Sequence, residues 1–205
     1  MLPKNVIVLD LETQKSFKEV AKGREERLGK LKISVVGTYD YQDGCYHTYE
    51  EKELMALEQR LKEVDFVIGF NIRRFDFPVL APYLFTPTEA IPLLDLLEDV
   101  EKFRGHRASL DSLAYPTLNQ RKTGSGMEAL TLFRENRMEE LKQYCLDDVR
   151  LTKDLFEFGC EHGHVFFTST WDYKTYEIPV QWKQTSEAIV RQIPENKTSF
   201  PASLF

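Results

Sequence analysis

Apolar positions along the 205-residue chain follow two periods, and their order predicts an α/β fold with a mixed sheet flanked by helices. Val6-Ile7-Val8-Leu9 is a short β-branched run of the kind buried on both faces of a sheet. Leu31 to Tyr39 and Cys45 to Tyr49 read as two further strands, separated by Asp43-Gly44, a dipeptide that favours a tight hairpin turn. The chain therefore opens as a β-meander. The polar, charge-mixed segment Gln14 to Lys30 has no clean period and reads as a long, partly helical loop.

Helical spacing begins at Glu50. Leu54, Leu57 and Leu61 recur on a charged background up to Val64, which predicts an amphipathic helix. A buried strand follows at Phe66 to Phe70, then a short helix from Asp76 to Tyr83, since Pro78 is tolerated in a first turn. A strand over Ile91 to Leu94 ends at Asp95, whose spacing to Glu98 is that of an N-cap with a returning glutamate opening a helix to about Phe103. Ser109 to Tyr115 reads as a short helix and Gln120 to Gly126 as a basic, glycine-containing loop. The longest helix is predicted from Asn136, spaced for capping with Glu139, to a stop at Gly159. Val165 to Thr170 and Lys174 to Gln181 form a closing hairpin, in which Trp171, Tyr173, Tyr176 and Trp182 are expected to pack as a cross-strand aromatic cluster, with stacking on single-stranded bases as the alternative. The expected organisation is one domain over residues 1–182, including the hairpin near 164–181, and a C-terminal tail over 183–205 that is a candidate contact for a protein partner.

Composition narrows the function classes. Three scattered cysteines, with no CxxC and no Cys/His pairing, disfavour zinc and disulfide scaffolds and suit a reducing cytoplasm. The sequence carries no apolar stretch of bilayer-spanning length, so no membrane association is expected. A net charge of −6 argues against a large basic nucleic-acid surface, leaving local groups at Arg73-Arg74, Arg104 to Arg107 and Arg121-Lys122. It does not argue against a nuclease, because bound divalent cations invert the field of an acidic site where phosphate approaches.

The chemistry lies in three places. Asp10 and Glu12 close the first strand, and side-chain alternation puts both carboxylates on one face with Leu9 and Leu11 on the other. Two such acids at the end of a buried strand are costly unless a cation, a proton or a basic partner offsets them. Asn71-Ile72-Arg73-Arg74-Phe75-Asp76 follows the Phe66 to Phe70 strand, where a lone aspartate is more often a helix cap. Tyr144 and Asp148 share one face of the long helix, with Asp147 turned toward solvent or Arg150.

Together these segments resemble the DEDDy exonucleases, the group that includes the proofreading domains of family B DNA polymerases. The residues that carry the resemblance are Leu9-Asp10-Leu11-Glu12-Thr13, Gly69-Phe70-Asn71 through Phe75-Asp76, and Tyr144-Cys145-Leu146-Asp147-Asp148. They match the Asp-x-Glu-Thr, Asn-x3-Phe-Asp and Tyr-x3-Asp patterns in order over about 140 residues. Leu110-Asp111-Ser112-Leu113 and the Lys122-x-Gly-x-Gly loop look closer to stand-alone or helicase-fused bacterial relatives.

The resemblance implies a ribonuclease H-like fold and a metal-dependent 3′–5′ exonuclease acting on nucleic acid with a free 3′ end, single-stranded DNA being favoured over RNA. It further implies two divalent cations, Mg²⁺ or Mn²⁺. Asp10, Glu12 and Asp148 would hold one and Asp10 with Asp76 the second, while Tyr144 would orient the attacking water. Thr13, Asn71 and Phe75 become candidates for contacting the terminal nucleotide, with core packing the competing role for Phe75. Lys122 is a candidate to reach a phosphate, although a lysine in such a loop is more often solvated. The competing function classes are an inactive nucleic-acid-binding or partner-binding module and an endonuclease on the same fold. His106, His162 and His164 lack partners at ligand spacing.

Overall fold

The computed structural model describes residues 4–20, 28–169 and 171–193. Five strands, β1 (Val6–Thr13), β2 (Ile33–Asp40), β3 (Cys45–Glu50), β4 (Phe66–Gly69) and β5 (Leu93–Asp95), form one sheet in the order β3-β2-β1-β4-β5. β2 pairs antiparallel with both β1 and β3, whereas β4 runs parallel to β1 and β5 parallel to β4. The meander and the later β/α alternation thus meet in a single mixed sheet. Gly44 makes the β2–β3 turn at φ 71°, a conformation that glycine adopts without a Cβ penalty.

Helices cover both faces: α1 (Leu54–Glu63), α2 (Asp76–Leu80), α3 (Leu96–Arg104), α4 (Leu110–Leu118), α5 (Gly126–Arg134), α6 (Met138–His162) and α7 (Trp182–Gln192). The central strand divides its side chains between two cores. Val6 and Val8 pack into the cluster shared with α3, α4 and α6, while Ile7, Leu9 and Leu11 pack into the one shared with α1 and α2. Each fully buried aliphatic side chain contributes roughly 1.5–3 kcal/mol, so β1 is anchored from both sides. Asp10 and Glu12 continue the Val6/Val8 face, at the end where the helical cover opens.

Several boundaries differ from expectation. The long helix starts at Met138, because Asn136 sits at φ 56° in the left-handed region and cannot serve as the N-cap. It also runs through Gly159 to His162 and ends at Gly163, φ 73°. Gly159 lies inside the helix, where its missing side chain admits α7: a Cβ would come 2.3 Å from Trp182 Cε3. The segment beyond Trp182, of weak helical character in sequence, is helical to Gln192, with Trp182 fully buried against α6; residues 194–205 of the expected tail lie outside the described residues, as do 21–27 of the expected long loop. α5 was not anticipated. It spans nine residues after a glycine-containing stretch and buries only Ala129, Leu130 and Leu132, so the period is too short to stand out.

The closing hairpin forms from β6 (His164–Thr168) and β7 (Thr175–Pro179), antiparallel to each other. The expected aromatic cluster does not. Trp182 is buried, whereas Trp171 is 93% and Tyr173 85% exposed, and only Tyr176 sits opposite an aromatic residue, Phe167. No helix among the described residues is long and apolar enough to cross a membrane.

Candidate active site

Three side chains from two elements converge at the open end of β1. Asp10, Glu12 and Asp148 each offer a carboxylate oxygen within 4.8 Å of the others. The approach of α6 to the strand that makes this possible depends on Gly37, the β2 partner of Asp10, where a Cβ would stand 2.9 Å from Cys145 Sγ and 3.1 Å from Val149. Cys145 Sγ itself lies 3.5 Å from the Asp10 carbonyl oxygen, directly beneath the acids.

Asp76 joins them from the first turn of α2. It is not the cap of that helix; its Oδ1 accepts from the Leu11 N–H at 3.2 Å, between the two strand acids. Asp95 is responsible for that placement. Its carboxylate accepts from Leu97 N–H at 3.0 Å, capping α3, and also from Asn71 N–H at 2.8 Å and Arg73 N–H at 3.1 Å. Asn71 sits in the left-handed region at φ 64°, a turn that asparagine tolerates better than most residues. Asp95 was read only as a cap. Glu98 does not complete the expected capping box and instead pairs with Arg73 at 2.6 Å.

The cluster is electrostatically loaded. Burial, reinforced by the Asp148 charge and opposed by Lys122, pushes Asp10 up to about 8. Burial likewise raises Glu12 and Asp76 well above the carboxylate range, each with Asp10 as the next contributor. Asp148 is raised by burial and held back by Lys122, whose ammonium is 2.5 Å from Asp148 Oδ2. Lys122 is therefore not solvated: Asp111 of α4 accepts its backbone N–H at 2.9 Å, fixing the loop so that the side chain turns inward. This contact joins positions eleven apart across most of α4 and the loop after it, a pairing with no signature in sequence.

Tyr144 is buried beside the acids, with Lys122 Nζ 5.4 Å from its ring centroid. Its hydroxyl has no hydrogen-bond partner among the described residues, and the same is true of Asp148 Oδ1. Such orphaned buried oxygens around a carboxylate cluster are what a divalent cation and its waters satisfy. Asp147 faces away, 3.4 Å from Arg150.

The acids open into a pocket of about 400 Å³. Thr13, Asn71, Phe75 and Lys122 all line it, as do Arg107 and Asp111; Tyr144 does not. The Thr13 hydroxyl donates to Lys15 O at 3.0 Å, and Arg107 donates to the Asn71 side-chain oxygen. Phe75 both packs on the α1/α2 core and faces the pocket, its ring 6.1 Å from that of Phe17.

A family model described as RNase_H superfamily matches residues 27–158, well over half of the chain. The chain belongs to the RNase_H superfamily. The matched span contains Asp76, Tyr144 and Asp148 but starts after Asp10 and Glu12, whose place in the cluster rests on the geometry above. No curated protein matches the chain. Among solved structures it is similar to the family B DNA polymerase from the hyperthermophilic archaeon Pyrobaculum calidifontis, with 19% identity and a TM-score of 0.59 over 77% of this chain. The chain spans only 24% of that polymerase, and the likeness is one of fold. For this superfamily member, the fold and the buried acids at the end of its central strand are consistent with a divalent-metal site of nuclease type.

Proposed function

We propose that the protein is a metal-dependent 3′–5′ exonuclease of the DEDDy type, releasing nucleoside monophosphates from single-stranded nucleic acid, with DNA favoured over RNA. The observation that carries the reading is the convergence of Asp10, Glu12 and Asp148 within 4.8 Å, with Asp76 hydrogen-bonded to the backbone between the first two. Asp10, Glu12 and Asp148 would hold one Mg²⁺ or Mn²⁺, and Asp10 with Asp76 a second. When bound, such ions supply an activated water and stabilisation of the leaving 3′-oxygen.

The chain's own residues do the rest. Lys122, already inside the pocket, exchanges its contact with Asp148 for a substrate phosphate oxygen. Tyr144, with an unpartnered hydroxyl beside Lys122, orients the water. Arg107 and Asn71 bind the terminal backbone or base edge, and Thr13 the terminal sugar end. Phe75 packs against the last base.

The test uses oligonucleotides labelled at the 5′ or the 3′ end, with Mn²⁺, Mg²⁺ or chelator, beside Asp10→Ala and Asp148→Ala. A metal-dependent ladder shortening from the 3′ end, absent in both variants, is expected. Internal cuts would indicate an endonuclease, and binding without cleavage a non-catalytic module; either would overturn the proposal.

A further inference from the structure

The hairpin tip is built to present aromatic rings to solvent. Trp171 and Tyr173 are 93% and 85% exposed, yet the turn that carries them is tied down. Ser169 Oγ accepts from the Trp171 N–H at 3.2 Å, Ser169 O accepts from Tyr173 N–H at 3.1 Å, and Lys174 O accepts from Ser169 N–H at 2.9 Å. Tyr173 is held at φ 56°, a conformation that a bulky side chain rarely adopts and that persists only where the surroundings impose it. Asp172 adds to the restraint by accepting from Lys174 N–H and from the Tyr176 hydroxyl. Two large rings on a fixed turn, with no packing role, form a surface rather than a stray exposure.

This tip connects to the pocket through arginines. Arg107, in the pocket wall, is bonded to Asn71. Three residues earlier, Arg104 donates to the Arg107 carbonyl at 3.3 Å and lies 3.4 Å over the Phe167 ring. Phe167 is the cross-strand partner of Tyr176, and one residue further β6 ends and the tip begins. The order from the acids outward is pocket, Arg107, Arg104, Phe167 with Tyr176, then Trp171 and Tyr173.

We infer that this hairpin is a docking platform for single-stranded nucleic acid, on which bases 5′ of the pocket stack while Arg104, Arg107 and Lys174 meet the phosphates. Cations beside exposed rings are the chemistry that tracks a single strand without reading its sequence. A folded protein partner, whose interfaces also favour aromatic residues and arginine, would show as absence of quenching by oligothymidylate. The inference rests on the nuclease reading for the nature of the ligand, but concerns surface that reading leaves unused. It also gives a chain of net charge −6 a local route to hold a polyanion.

Trp171 is its own reporter. The other tryptophan, Trp182, is fully buried, so quenching of tryptophan emission by a stacked base arises from Trp171. With chelator present to prevent cleavage, oligothymidylate of sixteen nucleotides is expected to quench this emission and to bind more tightly than a trinucleotide, which is shorter than the roughly 4–16 nucleotides that a stacking groove occupies. Trp171→Ala and Tyr173→Ala should each weaken binding of the sixteen-mer about 5–150-fold, the equivalent of one lost base stack. Trp171→Phe, which keeps a ring, should largely retain it.

Absence of quenching, unchanged affinity in the alanine variants, or an equal loss on the trinucleotide would overturn the inference whether or not the protein hydrolyses DNA. Quenching with the expected losses, in a protein that cleaves nothing, would leave the platform standing and remove only the proposed activity.

Discussion

Metal binding at this site should be coupled to proton release, and the coupling is large enough to measure. Burial among other acids holds Asp10 at about 8 against an ordinary 3.8. At pH 7 such a group is protonated in roughly nine molecules of ten, so a cation that needs its carboxylate must expel about 0.9 proton from Asp10 alone. Glu12, Asp76 and Asp148, all raised by burial, add to that figure. Titrating Mn²⁺ calorimetrically at pH 7 in buffers of different ionisation enthalpy gives the proton count directly. The Asp10 proton alone should make affinity rise by about tenfold per pH unit between pH 5 and 7, and protons from the other acids should steepen the rise. Stability follows with a definite sign. The metal-free native state retains a proton that the unfolded chain has released, so its stability falls as pH rises from about 4 to about 8. Mn²⁺ at a hundred times its Kd offsets this by about 2.7 kcal/mol, equivalent to a Tm increase of about 5–11 °C for a domain of this size. Proton release near zero at pH 7, together with an affinity indifferent to pH, would refute the electrostatic account of the cluster.

Four substitutions probe how the site is held. Gly37→Ala should cost about 1–3 kcal/mol in urea unfolding by forcing α6 away from β1, and Cys145→Ala in the same chain should recover part of that loss, since Sγ is the first atom struck at 2.9 Å. Asp95→Ala deprives three backbone N–H groups of their acceptor; a stability loss of about 1–3 kcal/mol is expected, with a fall in oligonucleotide hydrolysis larger than the same loss at a remote site produces. Lys122→Met removes a cation 2.5 Å from Asp148, so Mn²⁺ affinity without substrate should rise about five- to tenfold, one partly screened charge repulsion, while hydrolysis slows. Unchanged Mn²⁺ affinity in this last variant would show that the ammonium does not compete for the site.

What the sequence disclosed follows from which interactions are local. Side-chain alternation along Val6 to Thr13 was enough to put Asp10 and Glu12 on one face, because a strand's period is fixed by its backbone. Helical spacing placed Tyr144 and Asp148 together for the same reason. Most of the failures involve long-range packing. Asn136 and Gly159 carry the residue types of a helix start and stop, yet the missing side chain of Gly159 admits Trp182 against a helix that continues, and a left-handed turn excludes Asn136 from capping. Asp95 and Asp111 resembled ordinary surface or capping acids because their other partners, Asn71, Arg73 and Lys122, are brought to them only by the fold. The aromatic cluster expected in the hairpin failed in a different way. Trp182 belongs to α7 and Trp171 and Tyr173 to the turn, so strand pairing never brings the rings together.

These cases locate where the geometry of the acids is decided. The carboxylates repel one another, and the single ammonium of Lys122 does not by itself bring Asp10, Glu12 and Asp148 within 4.8 Å. The approach is imposed by the two cores that grip β1, by the missing side chain at Gly37 that admits α6, and by Asp95, which orders the turn before Asp76. Gly37 and Asp95 lie outside the acidic cluster, yet a change at either alters the separation of groups whose interaction varies steeply with distance. Loss of metal affinity should therefore accompany loss of stability at these two positions. At the acids themselves the sign reverses: Asp10→Asn abolishes metal-induced stabilisation while raising the metal-free Tm at pH 8, because it removes a buried charge that only a cation relieves.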